Sequence, residues 1–115
     1  MTNPTKIISL LERGREELGK ANVELKRIGY ERAVVRGDYY GKTSAEKGEL
    51  LEDGNSAAAS GSMADSKYSE LLAGYKRIDA EFETQSKYCK YVSAQLNALQ
   101  TIMNGLKSEG NQTGS

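Results

Sequence analysis

A heptad repeat in the second half of the chain constrains the fold more than any other feature. Over six heptads, non-polar and aromatic residues recur in unbroken 3-4 spacing, and Gln85 is the only polar member. One edge holds Tyr68, Tyr75, Phe82, Cys89, Leu96 and Met103, and the other holds Leu71, Ile78, Gln85, Val92, Leu99 and Leu106. A stripe repeating every 3.5 residues can be buried along its whole length only against another helix. This C-terminal seam therefore predicts helix–helix association and does not indicate an enzyme.

A second, less regular stripe precedes it. Its members are Ile7, Leu11, Leu18, Ala21, Leu25, Ile28, Val35 and Tyr39. This N-terminal seam is interrupted by Gly14 and Arg32, and it predicts an amphipathic helix over about 5–40 that begins after Pro4. Each glycine inside a helix costs about 1 kcal/mol relative to alanine. Either packing compensates, or the helix breaks near Gly14 or Gly29.

Around Gly41 the pattern stops and restarts. Thr43 followed three residues later by Glu46 is typical of a capping box, which predicts a short helix over about 44–53. Gly54 is the expected C-terminal stop of that helix.

The remainder of the chain is predicted from the same signals. Residues 54–62 are small or polar, which favours a flexible connection, although their three alanines could extend a helix if neighbouring residues supported it. The long helix is expected over about 63–107, and the tail 108–115 is expected to be disordered. The prediction is one all-α domain, 1–107, built as a long antiparallel helical hairpin or coiled coil that assembles into a homo-oligomeric bundle.

Self-association is expected because the C-terminal seam is longer than one glycine-bearing helix can cover. Hydrophobic residues make up 37% of the chain and tryptophan is absent, so a thick core is not expected. The oligomerisation seam is assigned to Tyr75, Ile78, Phe82, Val92, Leu96, Leu99, Met103 and Leu106.

Composition argues against several function classes. The chain has no histidine, and its one cysteine, Cys89, is expected to be a buried core residue. Gly41, Lys42 and Thr43 look like the end of a phosphate-binding loop, but Arg36 stands where that motif requires glycine. We therefore expect no catalysis, no metal and no cofactor. The sequence shows no signal-peptide pattern and no apolar span, so a cytoplasmic protein without a membrane partner is expected.

One segment mixes aromatic and basic side chains. Tyr30, Tyr39 and Tyr40 are interleaved with Arg32, Arg36 and Lys42. Arg32 and Arg36 are four residues apart and could follow a phosphate backbone, while tyrosine rings can stack on unpaired bases. The alternative is structural: Tyr39 caps the seam, and the arginines pair with Glu31, Asp38 or a partner helix.

The same segment resembles phage recombination mediators of the UvsY type. The resemblance is clearest at Arg36 and Asp38-Tyr39-Tyr40, which a glycine follows, and it continues weakly to about Gly105. Such mediators load a RecA-type recombinase onto single-stranded DNA coated by single-strand-binding protein. They are helical and form rings of several subunits. The resemblance implies DNA contact by Arg36.

Two positions depart from the family's pattern. Val34 replaces its lysine and Gly37 replaces an apolar residue, so Arg32 and Lys42 are the substitute cations.

The predicted function is thus single-stranded DNA binding by a homo-oligomeric recombination accessory protein. Arg32, Arg36 and Lys42 would contact phosphates, and Tyr39 or Tyr40 would stack on bases. The expected partners are the protein itself, DNA, a RecA-type recombinase and single-strand-binding protein, in the bacterial cytoplasm if the protein is phage-encoded. The alternative is a coiled-coil interaction module, an adaptor or an inhibitor of a host protein, that binds no nucleic acid.

Overall fold

Three helices account for nearly all of the described chain. The structure, a computed structural model, describes the backbone of residues 3–113 and the side chains of residues 3–109. The helices are α1 (Pro4–Glu52), α2 (Ala57–Lys67) and α3 (Ser69–Thr113), and the described residues form no strand. The predicted all-α fold class is confirmed.

The first helix is longer than predicted, because α1 continues through Gly41 without a break. The segment 44–53, expected to be a separate short helix, instead forms the last turns of α1, which ends at Glu52. Thr43 is not a cap but a buried residue in the helix interior, and its hydroxyl donates to the carbonyl oxygen of Tyr39, 2.8 Å away. A threonine hydroxyl bonded one turn back can be buried inside a helix, so the capping-box interpretation is wrong.

Two glycines of α1 lie where α3 approaches closely, which explains why the helix does not break there. A Cβ atom added to Gly14 would collide with the side chain of Leu96, and one added to Gly29 would lie 3.3 Å from Cε2 of Phe82. Both glycines thus make room for residues of the C-terminal seam. Of the two predicted outcomes, compensation by packing is the one observed.

The expected stop at Gly54 is confirmed, since α1 ends just before it and its φ of +95° is one that glycine readily adopts. The connection predicted to be flexible over 54–62 is instead a turn followed by α2. Ser56 caps α2 by accepting a hydrogen bond from the backbone N–H of Ala59, and Ser60 and Ala64 are buried. Small side chains therefore serve here to bring a helix into contact with its neighbours.

The predicted long helix, 63–107, is divided at Tyr68 into the end of α2 and the whole of α3. Its C-terminal end lies beyond the predicted one, because α3 runs to Thr113 and the tail expected to be disordered is helical over 108–113. No proline interrupts this stretch, and each added residue completes another helical hydrogen bond. Residues 114–115 lie outside the described part.

The chain divides into two compact units rather than the single domain predicted. The terminal unit joins Met1–Leu25 with Thr84–Ser115, and the central unit is Lys26–Glu83. In paired antiparallel helices, each residue contacts only residues at its own level, so contacts cluster locally. This explains how one helix can belong to two units.

In the terminal unit, α1 and α3 run antiparallel around a core of Ile7, Leu11 and Met103, against which Leu96, Leu99 and Leu106 pack. Gln85, the polar member of the seam, donates through Nε2 to the carbonyl oxygen of Ala21 at 3.0 Å. Its amide is therefore partly satisfied within the chain.

In the central unit, α2 connects α1 to α3 along the chain. Ile28, Ile78 and Ala64 are buried, and Nζ of Lys67 on α2 lies 2.9 Å from Oε2 of Glu46 on α1. The carboxylate of Glu46, through that hydrogen bond and its charge, raises the pKa of Lys67.

Every position of the C-terminal seam is buried or half-buried, and so is every position of the N-terminal seam. The two seams face each other within one chain. The eight residues assigned to oligomerisation thus have neighbours in their own chain, and this seam does not require a second copy. Among the described residues, no helix is long and apolar enough to cross a bilayer.

Candidate nucleic-acid interface

The five residues predicted to bind DNA all belong to the α1 segment of the central unit, but they lie on different faces of it. At about 100° per residue, Tyr40 lies about 40° around the helix from Arg36, and Lys42 about 120° away in the other direction. Arg32 and Tyr39 occupy positions of the buried stripe. The structure therefore brings only Arg36 and Tyr40 together on an exposed flank.

Arg32 is held by α3. Its Nε atom lies 2.8 Å from Oδ1 of Asp79, and its guanidinium carbon lies 4.6 Å from the ring centre of Phe82. The side chains are 31% and 34% exposed, and the two atoms meet without the alignment of a hydrogen bond. A half-buried ion pair leaves an unneutralised charge when one partner is removed or diverted. Arg32 therefore has a partner within the chain, and the predicted phosphate contact would compete with Asp79.

Tyr39 is also engaged within the chain. Its ring is 8% exposed and stacks on Tyr75, with centroids 6.1 Å apart, and its hydroxyl donates to Oδ1 of Asp65 on α2 at 3.1 Å. Burial raises the pKa of Tyr39, and the Asp65 carboxylate raises it further. The Tyr39 ring therefore already has a stacking partner within the chain.

Tyr40 is the accessible ring of the segment, with 51% of its surface exposed. Its ring packs edge-on against the rings of Tyr39 and Tyr75, with centroid distances of 5.3 Å and 6.1 Å. The guanidinium carbon of Arg36 lies 5.7 Å from the Tyr40 ring centre. Among the described residues, no carboxylate is paired with Arg36. An accessible cation therefore lies over an exposed ring that two buried or half-buried rings hold in place.

A shallow concavity lies beside this pair on the surface of α1. Its lining combines the small residues Gly29, Ala33 and Gly37 with the long side chains of Arg32, Arg36 and Tyr40. The small residues leave space that the long ones border. Such a hollow could accept a planar group next to a guanidinium.

Lys42 lies away from this flank. Its Nζ atom is 3.4 Å from Oδ1 of Asp38, one turn earlier, and both side chains are largely exposed. Exposed pairs of this kind contribute little to stability, so the ammonium group is not firmly held. Its direction from the helix axis nevertheless separates Lys42 from Arg36 and Tyr40.

Lys47 is a cation that the sequence reasoning missed. It follows Arg36 by eleven residues and lies about 20° from it around a continuous helix. The predicted break at Gly41 placed Lys47 in a separate helix and hid this relation. A helical wheel that includes all of α1 places Lys47 close to Arg36.

Over the described residues, no group of three or more His, Cys, Asp or Glu side chains is placed to hold a metal ion. Cys89 is a buried thiol in the terminal unit and belongs to no such group.

Comparison with known protein families, with curated proteins and with solved structures found no match to this chain. Any assignment of function therefore depends on the residues of the site and on their geometry.

Proposed function

We propose that this protein is a non-enzymatic, self-associating helical protein that binds single-stranded DNA through Arg36 and Tyr40. It would act as a recombination accessory protein similar to the UvsY-type mediators, with a RecA-type recombinase and single-strand-binding protein as partners. The observation that supports the proposal best is the exposed Tyr40 ring beneath the unpaired Arg36 guanidinium.

The pair suits a single strand because unpaired bases present their faces to an aromatic ring. Stacking of a base on a protein ring contributes about 1–3 kcal/mol, and it tolerates any base. Tyr39 and Tyr75 hold the Tyr40 ring in place, so little side-chain freedom is lost on binding. Arg36 supplies a cation for the neighbouring phosphate.

A single site of this kind binds weakly, since the chain has 16 basic and 16 acidic residues and no net charge. Several associated copies bind one strand far more tightly than a single site does, because each further site meets a strand that is already held at a high effective concentration. Self-association is therefore part of the proposal.

One observation favours the alternative, a protein-interaction module that binds no nucleic acid. Arg32 and Tyr39, two of the five predicted DNA contacts, are engaged within the chain. The two functions respond differently to salt. Phosphate contacts release counterions and weaken steeply as ionic strength rises, whereas burial of apolar surface does not.

The test is fluorescence anisotropy with labelled single-stranded and duplex oligonucleotides of equal length, at two or more salt concentrations. We expect tighter binding of the single strand. Arg36→Ala should lower the affinity for all sequences and reduce the salt slope by about one, and Tyr40→Leu should lower the affinity without changing that slope.

The matched control is Arg77→Ala, which removes an exposed arginine from α3 and should leave binding unchanged. If the parent protein shows no binding at low salt, the interaction module becomes the better proposal. If Arg77→Ala and Arg36→Ala weaken binding equally, the cations act only through bulk charge and the site assignment fails.

A further inference from the structure

The outward face of α1 carries a second 3-4 stripe, separate from the buried seam. Within the central unit the spacing begins at Arg27, and its uncharged members include Tyr30, Val34, Gly37, Gly41, Gly48 and Leu51. Ser44 completes the spacing, and all seven uncharged residues are exposed. Tyr30 is 74% exposed, a large fraction for an aromatic ring in a helix. A stripe with this period is buried by another helix, and no helix among the described residues covers it.

The glycines of this outer stripe have no explanation within the chain. A Cβ atom added to Gly37, Gly41 or Gly48 would meet no atom within 4 Å, whereas Gly14 and Gly29 make room for α3. Alanine in their place would strengthen the helix. Glycines at spacings of four and seven on one face leave a track on which a second helix backbone can approach closely.

Charged residues flank the outer stripe with opposite signs on its two sides. Lys26 and Lys47 lie on one side, and Glu31, Asp38 and Glu52 lie on the other. Two of these carboxylates also have partners in their own chain, since Glu31 pairs with Arg27 and Asp38 with Lys42. In a parallel pair of helices, a residue on the first side meets the residue five positions later in the partner helix. Lys26 then meets Glu31 of a second copy, and Lys47 meets Glu52. An antiparallel pair would bring lysine to lysine and carboxylate to carboxylate.

We propose that two copies of this chain pair in parallel through the outer stripe, with their backbones closest at Gly37 and Gly41. This assigns a surface to the self-association in the proposed function, and it does not depend on DNA binding. Arg36 lies outside the stripe, about 100° around α1 from Gly37 and about 140° from Gly41, and it stays accessible. Tyr40 lies on the flank that carries Lys26 and Lys47. Parallel pairing places the Arg36 side chains of the two copies at the same level, on opposite sides of the pair.

Sedimentation velocity across a range of concentrations tests the pairing. We expect the parent to form a dimer or a larger species containing this contact, and Gly41→Glu to raise the dissociation constant at least tenfold. Glutamate is a good helix former, so the variant should keep its helical circular dichroism. The control is Gly105→Glu, which makes the same change at an exposed glycine of α3 and should associate like the parent.

A parent that sediments as a single 12.6 kDa species up to several hundred micromolar would overturn the inference. So would a Gly41→Glu variant that associates as tightly as the parent.

Cross-linking tests the parallel orientation. In a background of Cys89→Ala, Ser44→Cys places one thiol per chain on the outer stripe. Parallel, in-register pairing puts the two thiols opposite each other, and we expect oxidised glutathione to convert them to a disulfide-linked dimer. Ala94→Cys, on an exposed position of α3, is the control and should cross-link far more slowly. Equal rates for the two cysteines would contradict the assigned surface and register.

Failure of this inference and failure of the DNA assignment are distinguishable. A parent that pairs but binds no oligonucleotide overturns only the DNA assignment. A parent that binds single strands through Arg36 but stays monomeric overturns the pairing and the self-association, and it leaves the DNA assignment standing.

Discussion

At the scale of single residues, the tyrosines of the central unit have different roles despite their proximity in sequence. Tyr39 is buried and hydrogen-bonded to Asp65, and its neighbour Tyr40 is half exposed. The difference arises because consecutive residues of a helix lie about 100° apart. One position faces α2 and α3, and the next faces the flank where Arg36 lies.

The buried tyrosine makes stability dependent on pH in alkaline solution. Burial and Asp65 raise the pKa of Tyr39 above its usual value of 10.0. The neutral phenol therefore stabilises the fold fully below about pH 10, and this contribution is lost as the pH rises through the raised pKa. We expect the free energy of unfolding in urea to fall above pH 10, and Tyr39→Phe to make this fall shallower.

Part of the fall should remain in Tyr39→Phe, because the Glu17 carboxylate raises the pKa of Tyr88 and the Glu46 carboxylate raises that of Lys67. Tyr30→Phe removes a highly exposed hydroxyl and serves as the control, with the pH profile of the parent. An unchanged slope in Tyr39→Phe would show that the Tyr39–Asp65 contact does not stabilise the neutral phenol.

At the scale of helices, glycines of α1 divide into those that α3 approaches and those on the opposite face. Gly14 belongs to the first kind and Gly19 to the second, since an added Cβ would collide with Leu96 at Gly14 and meet no atom within 4 Å at Gly19. The same substitution should thus have different effects at two positions of one helix in one unit.

We expect Gly19→Ala to stabilise the protein by about 1 kcal/mol, the usual difference between the two residues in a helix. Gly14→Ala gains the same helix propensity but forces the half-buried Leu96 side chain to move, which offsets at least part of that gain. Urea unfolding monitored by circular dichroism should rank Gly19→Ala above the parent and Gly14→Ala below Gly19→Ala. Equal effects at both positions would mean that α3 does not approach Gly14 closely.

At the scale of the whole molecule, the proposed functions of the two exposed surfaces of α1 should reinforce each other. Arg36 and Tyr40 supply a weak site in each copy, and the outer stripe brings copies together. If both proposals hold, Gly41→Glu should lower the apparent affinity for a long single-stranded oligonucleotide by more than tenfold, because the sites no longer act together.

Anisotropy with a long and a short oligonucleotide checks this coupling. A strand too short to reach two sites should bind Gly41→Glu and the parent alike, while the long strand should distinguish them. Equal loss on both strands would show that Gly41→Glu disturbs the site itself instead of the assembly.

The sequence by itself determined the all-α fold class, the two seams and the stop at Gly54. Those features follow from residue spacing and from backbone preferences, which act within a few residues along the chain. It did not determine that Gly41 and Thr43 lie inside one helix, that α2 exists, or that the chain divides into two units. Those outcomes depend on which surfaces meet.

The sequence also determined only part of the candidate site. Sequence placed cations and tyrosines together between Tyr30 and Lys42, because composition and order are local. Only the tertiary structure decided that Arg32 pairs with Asp79 and Tyr39 with Asp65, and these partners are 47 and 26 residues away along the chain. Arg36 and Tyr40 stay accessible because α2 and α3 pack on another face of α1, and a local pattern does not encode which face a distant helix covers.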